Sequence, residues 1–334
     1  MIIKKRSIDY KYIGLEMLYQ RLPDEHPMKK VINSKILSAK AGIIGEKIVE
    51  EVFNKYNFPF NYCVLHDLNL SSNGKFQIDT LFICPYYAVV LECKNIVGEL
   101  SFEKDPPYLK RELENGQKDG FESPEVQLDR NIYLLSEWLS VRGIDIPVMG
   151  VVVFSSTKSR IVKPPDHTAT IYARSIPVYL RGLPREKEYL TLTQMSDLAH
   201  SIAKAHQAYF PYPMCKNWRI DPEDLITGVL CGKCGRFGME RLKRTWLCPG
   251  CSNRDATAHI NSVNEWFVLI GEQISNSECR RFLHINQHQT VTRILQGMGL
   301  IIEGEGKATK YKISKKMLSG HKIFYMDKKN FIRS

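Results

Sequence analysis

Residues 78–94 hold two short segments that are apolar on both faces and yet carry two acids and a lysine. Ile78–Cys84 and Ala88–Lys94 read as strands, with Leu81, Phe82 and Ile83 in the first and Val89, Val90 and Leu91 in the second. Pro85-Tyr86-Tyr87 is their connection, since proline cannot donate to a sheet ladder. Strands without a polar face belong to a sheet covered on both sides, so an α/β fold with a mixed sheet is expected. Asp79, Glu92 and Lys94 are costly to bury in such a setting, and chemistry on a metal and a phosphate would explain them.

Side chains alternate along a strand, so Glu92 and Lys94 point the same way. Asp79 joins them if it lies opposite Glu92 or Lys94; opposite Cys93 it points away and no site forms. Brought together, Asp79 and Glu92 offer hard oxygen ligands for Mg²⁺ or Mn²⁺. Lys94 would then orient or activate a water, or neutralise a phosphate. Taken alone, Glu-x-Lys is an ordinary polar strand end, and the aspartate on the neighbouring strand gives it its weight.

Further motifs follow the same order along the chain. Gly45-Glu46 lies in a helical pattern with Ile44, Ile48 and Val52. Gln77-Ile78-Asp79 opens the first strand, Glu92-x-Lys94-Asn95 is followed by Gly98, and Pro124-x-x-Gln127 opens a later helix. On these motifs, roughly residues 38–155 resemble the nuclease-related domain (NERD), a branch of the PD-(D/E)xK nuclease superfamily. The resemblance implies a restriction-endonuclease-like core in which Asp79, Glu92 and Lys94 are the catalytic set. Glu46 would be an accessory metal ligand or water-positioning group, and Gln127 would line the site from its helix. The family's usual histidine after the aspartate is Thr80 here. By periodicity alone, Glu46 reads almost equally as a solvated helix residue. Gln127 reads as a solvent-facing residue behind an ordinary Ser123-Pro124 helix start.

Cys231, Cys234, Cys248 and Cys251 form two C-x2-C pairs separated by 13 residues. Each pair can present two thiolates to one tetrahedral Zn²⁺, and residues 240–247 suffice for a short hairpin between them. With four cysteines and no open position, the zinc is expected to be structural, in a zinc ribbon. Met1-Ile-Ile-Lys-Lys-Arg lacks the long apolar stretch of a secretory signal, so reduced thiols and a cytoplasmic location are expected.

Beyond the ribbon, helical patterns cover 261–273, 277–284 (with Ser277 as a cap) and 287–298. Residues 300–302 and 309–313 then read as a hairpin around Gly304-Glu305-Gly306-Lys307. This order resembles a winged helix-turn-helix. Gln287, His288, Gln289, Thr290, Thr292 and Arg293 would lie on the recognition helix, and Lys307, Lys310 and Lys312 would meet phosphates from the wing. A small helical subdomain used for packing would give the same pattern. Residues 228–334 hold 18 Lys+Arg against 8 Asp+Glu, a net +10 of the chain's +11, which favours a polyanionic partner, DNA foremost.

The domain reading is an N-terminal extension over 1–37, with a helix near 12–22 packed on the core. A nuclease-like domain over 38–210, a linker over 211–227, the ribbon over 228–255 and the winged-helix-like module over 256–334 follow. Within 38–210, helices are expected over 38–56, 124–141 and 192–210, strands over 62–68, 148–154 and 170–172, and a charged loop over 103–122. The expected function is metal-dependent hydrolysis of DNA. The alternatives are a non-catalytic DNA-binding or regulatory protein on a nuclease-derived scaffold and a protein-interaction module.

Overall fold

The computed structural model describes residues 1–314 and 317. They divide into two compact units, Met1–Asp9 with Leu37–Tyr209, and Tyr10–Ile36 with the chain from Phe210 onward. The elements begin β1 (Ile2–Lys4), α1 (Tyr10–Arg21), α2 (Met28–Lys55), β2 (Cys63–Ser71), β3 (Lys75–Ile83) and β4 (Ala88–Lys94). There follow β5 (Gly98–Lys104), β6 (Pro107–Glu112), β7 (Lys118–Glu122), α3 (Pro124–Ser140), β8 (Val148–Phe154), β9 (Ser159–Lys163) and β10 (Thr170–Tyr172). α4 (Ile176–Gly182) and α5 (Leu192–Ala205) complete the first unit.

A sheet of order β1-β2-β3-β4-β8-β10 frames this unit. β2, β3 and β4 are antiparallel, whereas β1 joins β2, β8 joins β4 and β10 joins β8 in parallel. α2 covers one face, where Val49 and Phe53 share a core with Phe82, Val89, Leu91 and Val151. α3 and α5 cover the other, where Leu128, Leu135 and Ile202 share a core with Leu81, Val90, Val152 and Phe154. Two-sided burial is what the unbroken apolar runs required. Alternation along β4 then sends Glu92 and Lys94, like Val90, to the α3 face.

Residues 103–122, expected as a loop, are instead strands of a second sheet of order β7-β6-β5-β9. Its core side is carried by Leu100, Phe102, Leu109, Phe121 and Ile161, which pack inward among charged neighbours. Paired charges stand in for β-branched residues elsewhere, with Arg111–Asp119 at 2.5 Å, Glu99–Arg160 at 2.9 Å and Glu103–Lys163 at 2.7 Å.

Residues 1–37 do not form one extension on the α/β core. The first nine add β1 to the main sheet, while α1 packs in the second unit. There Leu15, Leu18 and Leu22 share a core with Ile32, Met214, Ile220, Leu225 and Leu269. Residues 211–227 are thus part of a core rather than a free linker, with α6 (Met214–Trp218) inside it.

The second unit continues with β11 (Glu240–Arg241), β12 (Trp246–Leu247) and β13 (Arg254–Asp255), an antiparallel sheet with the hairpin expected between the cysteine pairs. Then come α7 (Ala258–Leu269), β14 (Gln273–Ser275), α8 (Asn276–Leu283), α9 (His288–Gly297), β15 (Ile301–Glu303) and β16 (Lys310–Lys312). The last three strands pair antiparallel in the order β14-β16-β15. Ser275, not Ser277, caps α8: its Oγ accepts from Glu278 N–H at 3.2 Å, and Glu278 accepts from Ser275 N–H at 2.7 Å. No helix among the described residues is long and apolar enough to cross a membrane.

Candidate functional site

The strand ladder stops one residue short of the pair on which the sequence left the site open. Thr80 pairs with Leu91 and Leu81 with Val90, and the ladder ends there, just before Asp79 and Glu92. Asp79 Oδ2 accepts from Cys93 N–H at 2.8 Å. Lys94 Nζ donates to Glu92 Oε1 at 2.7 Å and to Gln127 Oε1 at 2.8 Å. Gln127 therefore faces the site and not solvent. Asn131, one helical turn further, donates to Gln77 O at 2.8 Å and reaches Glu92 Oε2 at 3.5 Å. Sequence reasoning missed Asn131; its i, i+4 spacing from Gln127 was the available signal.

Two glycines let the covering helices come close enough. A Cβ on Gly150 of β8 would lie 2.5 Å from Ile132 Cδ1 and 2.7 Å from Leu128 Cδ1, both on α3. A Cβ on Gly45 of α2 would lie 2.5 Å from both Asn95 Cβ and Ser155 Oγ. Glu46, next to Gly45, is half-buried and paired with Arg6 at 2.5 Å. The ladder between β2 and β3 passes from His66–Thr80 to Leu68–Ile78, skipping Asp67 and Asp79, and Asp67 takes a left-handed φ of 51°. Asp67 is drawn to the N-terminal segment, lying 3.8 Å from Lys4 Nζ. Thr80 bonds the buried His66 Nδ1 across the strands at 2.9 Å.

Charge in the site is out of balance. Burial, then Asp79, pushes the Glu92 carboxyl up to about 7 against the pull of Lys94. Burial, then Asp79, pushes Glu46 up to about 8 against the pull of Arg6. Asp79 is also raised, by burial, despite Lys94 and the Cys93 N–H. For Lys94, burial acts downward, but Glu92 and Asp79 outweigh it and the ammonium is held above its usual range. Burial, with Arg6 and Lys4 nearby, lowers His66 to about 3 and leaves it neutral. Hard oxygen donors crowded at high proton affinity suit a divalent cation, which would relieve their repulsion. Among the described residues, the four cysteines are the one group of three or more His, Cys, Asp or Glu whose ligand atoms all lie within 4.8 Å of one another. Asp79, Glu92 and Glu46 do not all come within that distance of one another.

A pH dependence follows from these shifts. From the ordinary glutamate range near 4.5 up to about 7, folded Glu92 keeps a proton that the unfolded chain has lost. Stability of the metal-free protein therefore falls as pH rises through that window, by on the order of 3 kcal/mol from this group. Glu92→Gln is expected to flatten the fall, read as urea midpoints at about pH 5 and about pH 8. Equal falls in both proteins would contradict the assignment.

The cysteine centre is more closed. Cys231 Sγ lies 3.7 Å from Cys251 Sγ, and Cys234 Sγ lies 3.6 Å from Cys248 Sγ. Those gaps are too long for disulfides. They match the edge of about 3.8 Å expected for a tetrahedron of thiolates each about 2.3 Å from zinc. Gly235 N–H bonds Cys231 O at 2.9 Å and Ser252 N–H bonds Cys248 O at 2.8 Å, closing the two knuckles.

In the C-terminal part, Gln287, His288, Gln289 and Arg293 are exposed along α9, while Val291, Ile294 and Leu295 are buried beneath it. Thr290 Oγ1 donates to Gln287 Oε1 at 3.0 Å. Thr292 is engaged internally, accepting from Asn276 Nδ2 at 2.9 Å. Lys310 is exposed, and Lys312 lies 3.8 Å from Glu303. The side chain of Lys307, and residues 315, 316 and 318–334 of the expected module, lie outside the described residues.

Residues 41–155, which include Glu46, Asp79, Glu92, Lys94 and Gln127, match the family model described as a nuclease-related domain (NERD). No curated protein and no solved structure matches the chain.

Proposed function

We propose, from the nuclease-related domain at residues 41–155, that the chain hydrolyses DNA phosphodiester bonds with Mg²⁺ or Mn²⁺. The observation that carries this reading is Lys94 seated between Glu92 and Gln127, with Asp79 accepting from the Cys93 N–H that lies between Glu92 and Lys94. Asp79 and Glu92 would hold the ion, which when bound supplies positive charge at the phosphate and lowers the pKa of water. Cys93 N–H fixes Asp79, and Gln127 fixes Lys94. Because its pKa is raised, Lys94 stays an ammonium, suited to binding phosphate oxygen or orienting water rather than to taking a proton. Glu46 would be an accessory ligand or would position water.

The second unit would hold the nucleic acid. Residues 228–255 are read as a zinc ribbon, and the helices and antiparallel strands from 256 onward as a winged helix with α9 as its reading helix. Gln287, His288, Gln289, Thr290 and Arg293 would contact bases or phosphates, and Lys307, Lys310 and Lys312 phosphates. The net +10 of residues 228–334 supports a polyanionic partner, with affinity falling steeply in salt.

Cleavage of labelled linear and circular DNA, with Mg²⁺, Mn²⁺ or EDTA, tests the reading. Lys94→Ala is expected to lower metal-dependent cleavage by about 10²–10³-fold, with the circular dichroism spectrum unchanged. Cut circles would indicate an endonuclease. Tight, salt-sensitive binding with no cleavage by either protein would favour the non-catalytic regulator instead.

A further inference from the structure

We infer that Arg6, which lies before the nuclease-related domain, is a positioning residue that seats Glu46 at the acid site. The first nine residues then belong to that site. The inference rests on Asp79 and Glu92 being a divalent-metal centre.

The backbone on both sides of Arg6 is tied to β2. Ile2 and Lys4 pair in parallel with Val64 and Leu65. Lys4 Nζ donates to His66 O at 2.9 Å and to Asp67 O at 2.7 Å, and Ser7 N–H donates to Asp67 Oδ2 at 3.3 Å. Held at both ends, Arg6 turns inward, and its side chain is only 12% exposed. Nη1 donates to Glu46 Oε2 at 2.5 Å, Nε to Glu46 O at 3.2 Å and Nη2 to Thr80 Oγ1 at 3.2 Å. Glu50, one turn along α2, lies 4.0 Å from Nε.

One planar guanidinium thus joins α2 to the strand residue that follows Asp79. A glutamate beside a second carboxylate is repelled from it, and its flexible stem lets it turn away. Arg6 opposes that repulsion and fixes the direction of the carboxylate through a rigid fork of donors. Lysine could keep the charge, but as a single point it could not span Glu46 and Thr80 together.

A purely structural role would fasten α2 to the sheet without affecting metal binding. Calorimetric titration of the zinc-replete full chain with Mn²⁺, alongside melting temperatures, separates the two. Arg6→Ala is expected to weaken Mn²⁺ binding by about 10–100-fold, the range for residues that orient metal ligands. Arg6→Lys should recover part of this. In a Glu46→Gln background, Arg6→Ala should cause no further loss. Wild-type affinity with a lowered melting temperature in Arg6→Ala would overturn the inference. So would a full additional loss in the Glu46→Gln background. Asp79→Asn serves as the reference. If it weakens Mn²⁺ binding and Arg6→Ala does not, only the role of Arg6 fails. If it binds as the wild type does, the metal centre fails and the role of Arg6 fails with it.

Discussion

Removing the zinc proposed for the four-cysteine centre with a strong chelator is expected to unfold residues 231–251 as a local unit. The reason is how little else holds them. β11, β12 and β13 are two residues each, and strands so short do not persist alone. Metal binding in small thiolate sites supplies on the order of 10 kcal/mol of folding free energy, far more than these few backbone bonds supply. Trp246 is fully buried and donates from Nε1 to His259 Nδ1 at 3.0 Å, so ribbon and α7 share a core that should loosen when the knuckles open. Hydrogen exchange over 231–251 checks this, with zinc release followed in parallel. Protection unchanged after complete release would show that packing, not metal, holds the ribbon. Cys251→Ser is expected to act in the same direction.

Arg21→Ala is expected to destabilise the second unit by about 3–5 kcal/mol, since it strands a buried carboxylate without its cation. Arg21 and Glu265 are 0% and 1% exposed, and Arg21 Nε donates to Glu265 Oε2 at 2.6 Å. Nη1 donates to Ile226 O at 2.6 Å and both terminal nitrogens reach Gly228 O, at 3.4 and 3.3 Å. The guanidinium lies between the rings of Phe237 and Phe282, 4.7 and 4.4 Å from their centroids. One side chain from α1 therefore bonds α7 and the segment entering the ribbon, and stacks on α8. Arg21→Lys is expected to rescue little, because an ammonium cannot fill the fork or stack between the rings. Arg21→Met with Glu265→Leu should recover much of the loss by replacing the pair with apolar packing. Urea unfolding of the four proteins decides it. A loss below about 1 kcal/mol in Arg21→Ala would mean that water reaches Glu265 and replaces the lost bonds.

Much of the acid site was legible because its parts are close along the chain. Glu92 and Lys94 share a face by alternation alone, and Gly45-Glu46 and Pro124-x-x-Gln127 mark where two helices meet the sheet. The cysteine knuckles were legible for the same reason, since C-x2-C spacing sets the turn and the turn sets the ligands. Less was readable where polar residues do the packing. The second sheet hid behind paired charges, with single apolar residues turned inward, and the proline-rich stretch from Phe210 hid a core.

The sequence by itself determined the two-sided sheet, the acids and lysine on its central strands, and the two thiolate knuckles. Each depends on spacings of two to four residues, which backbone geometry translates directly into direction. Only the tertiary structure decided that Asp79 accepts from the Cys93 N–H, that Arg6 holds Glu46 from 40 residues away and that Arg21 meets Glu265 across 244. Such pairs depend on how whole layers stack, and a buried charge shows its purpose only once its partner is in place.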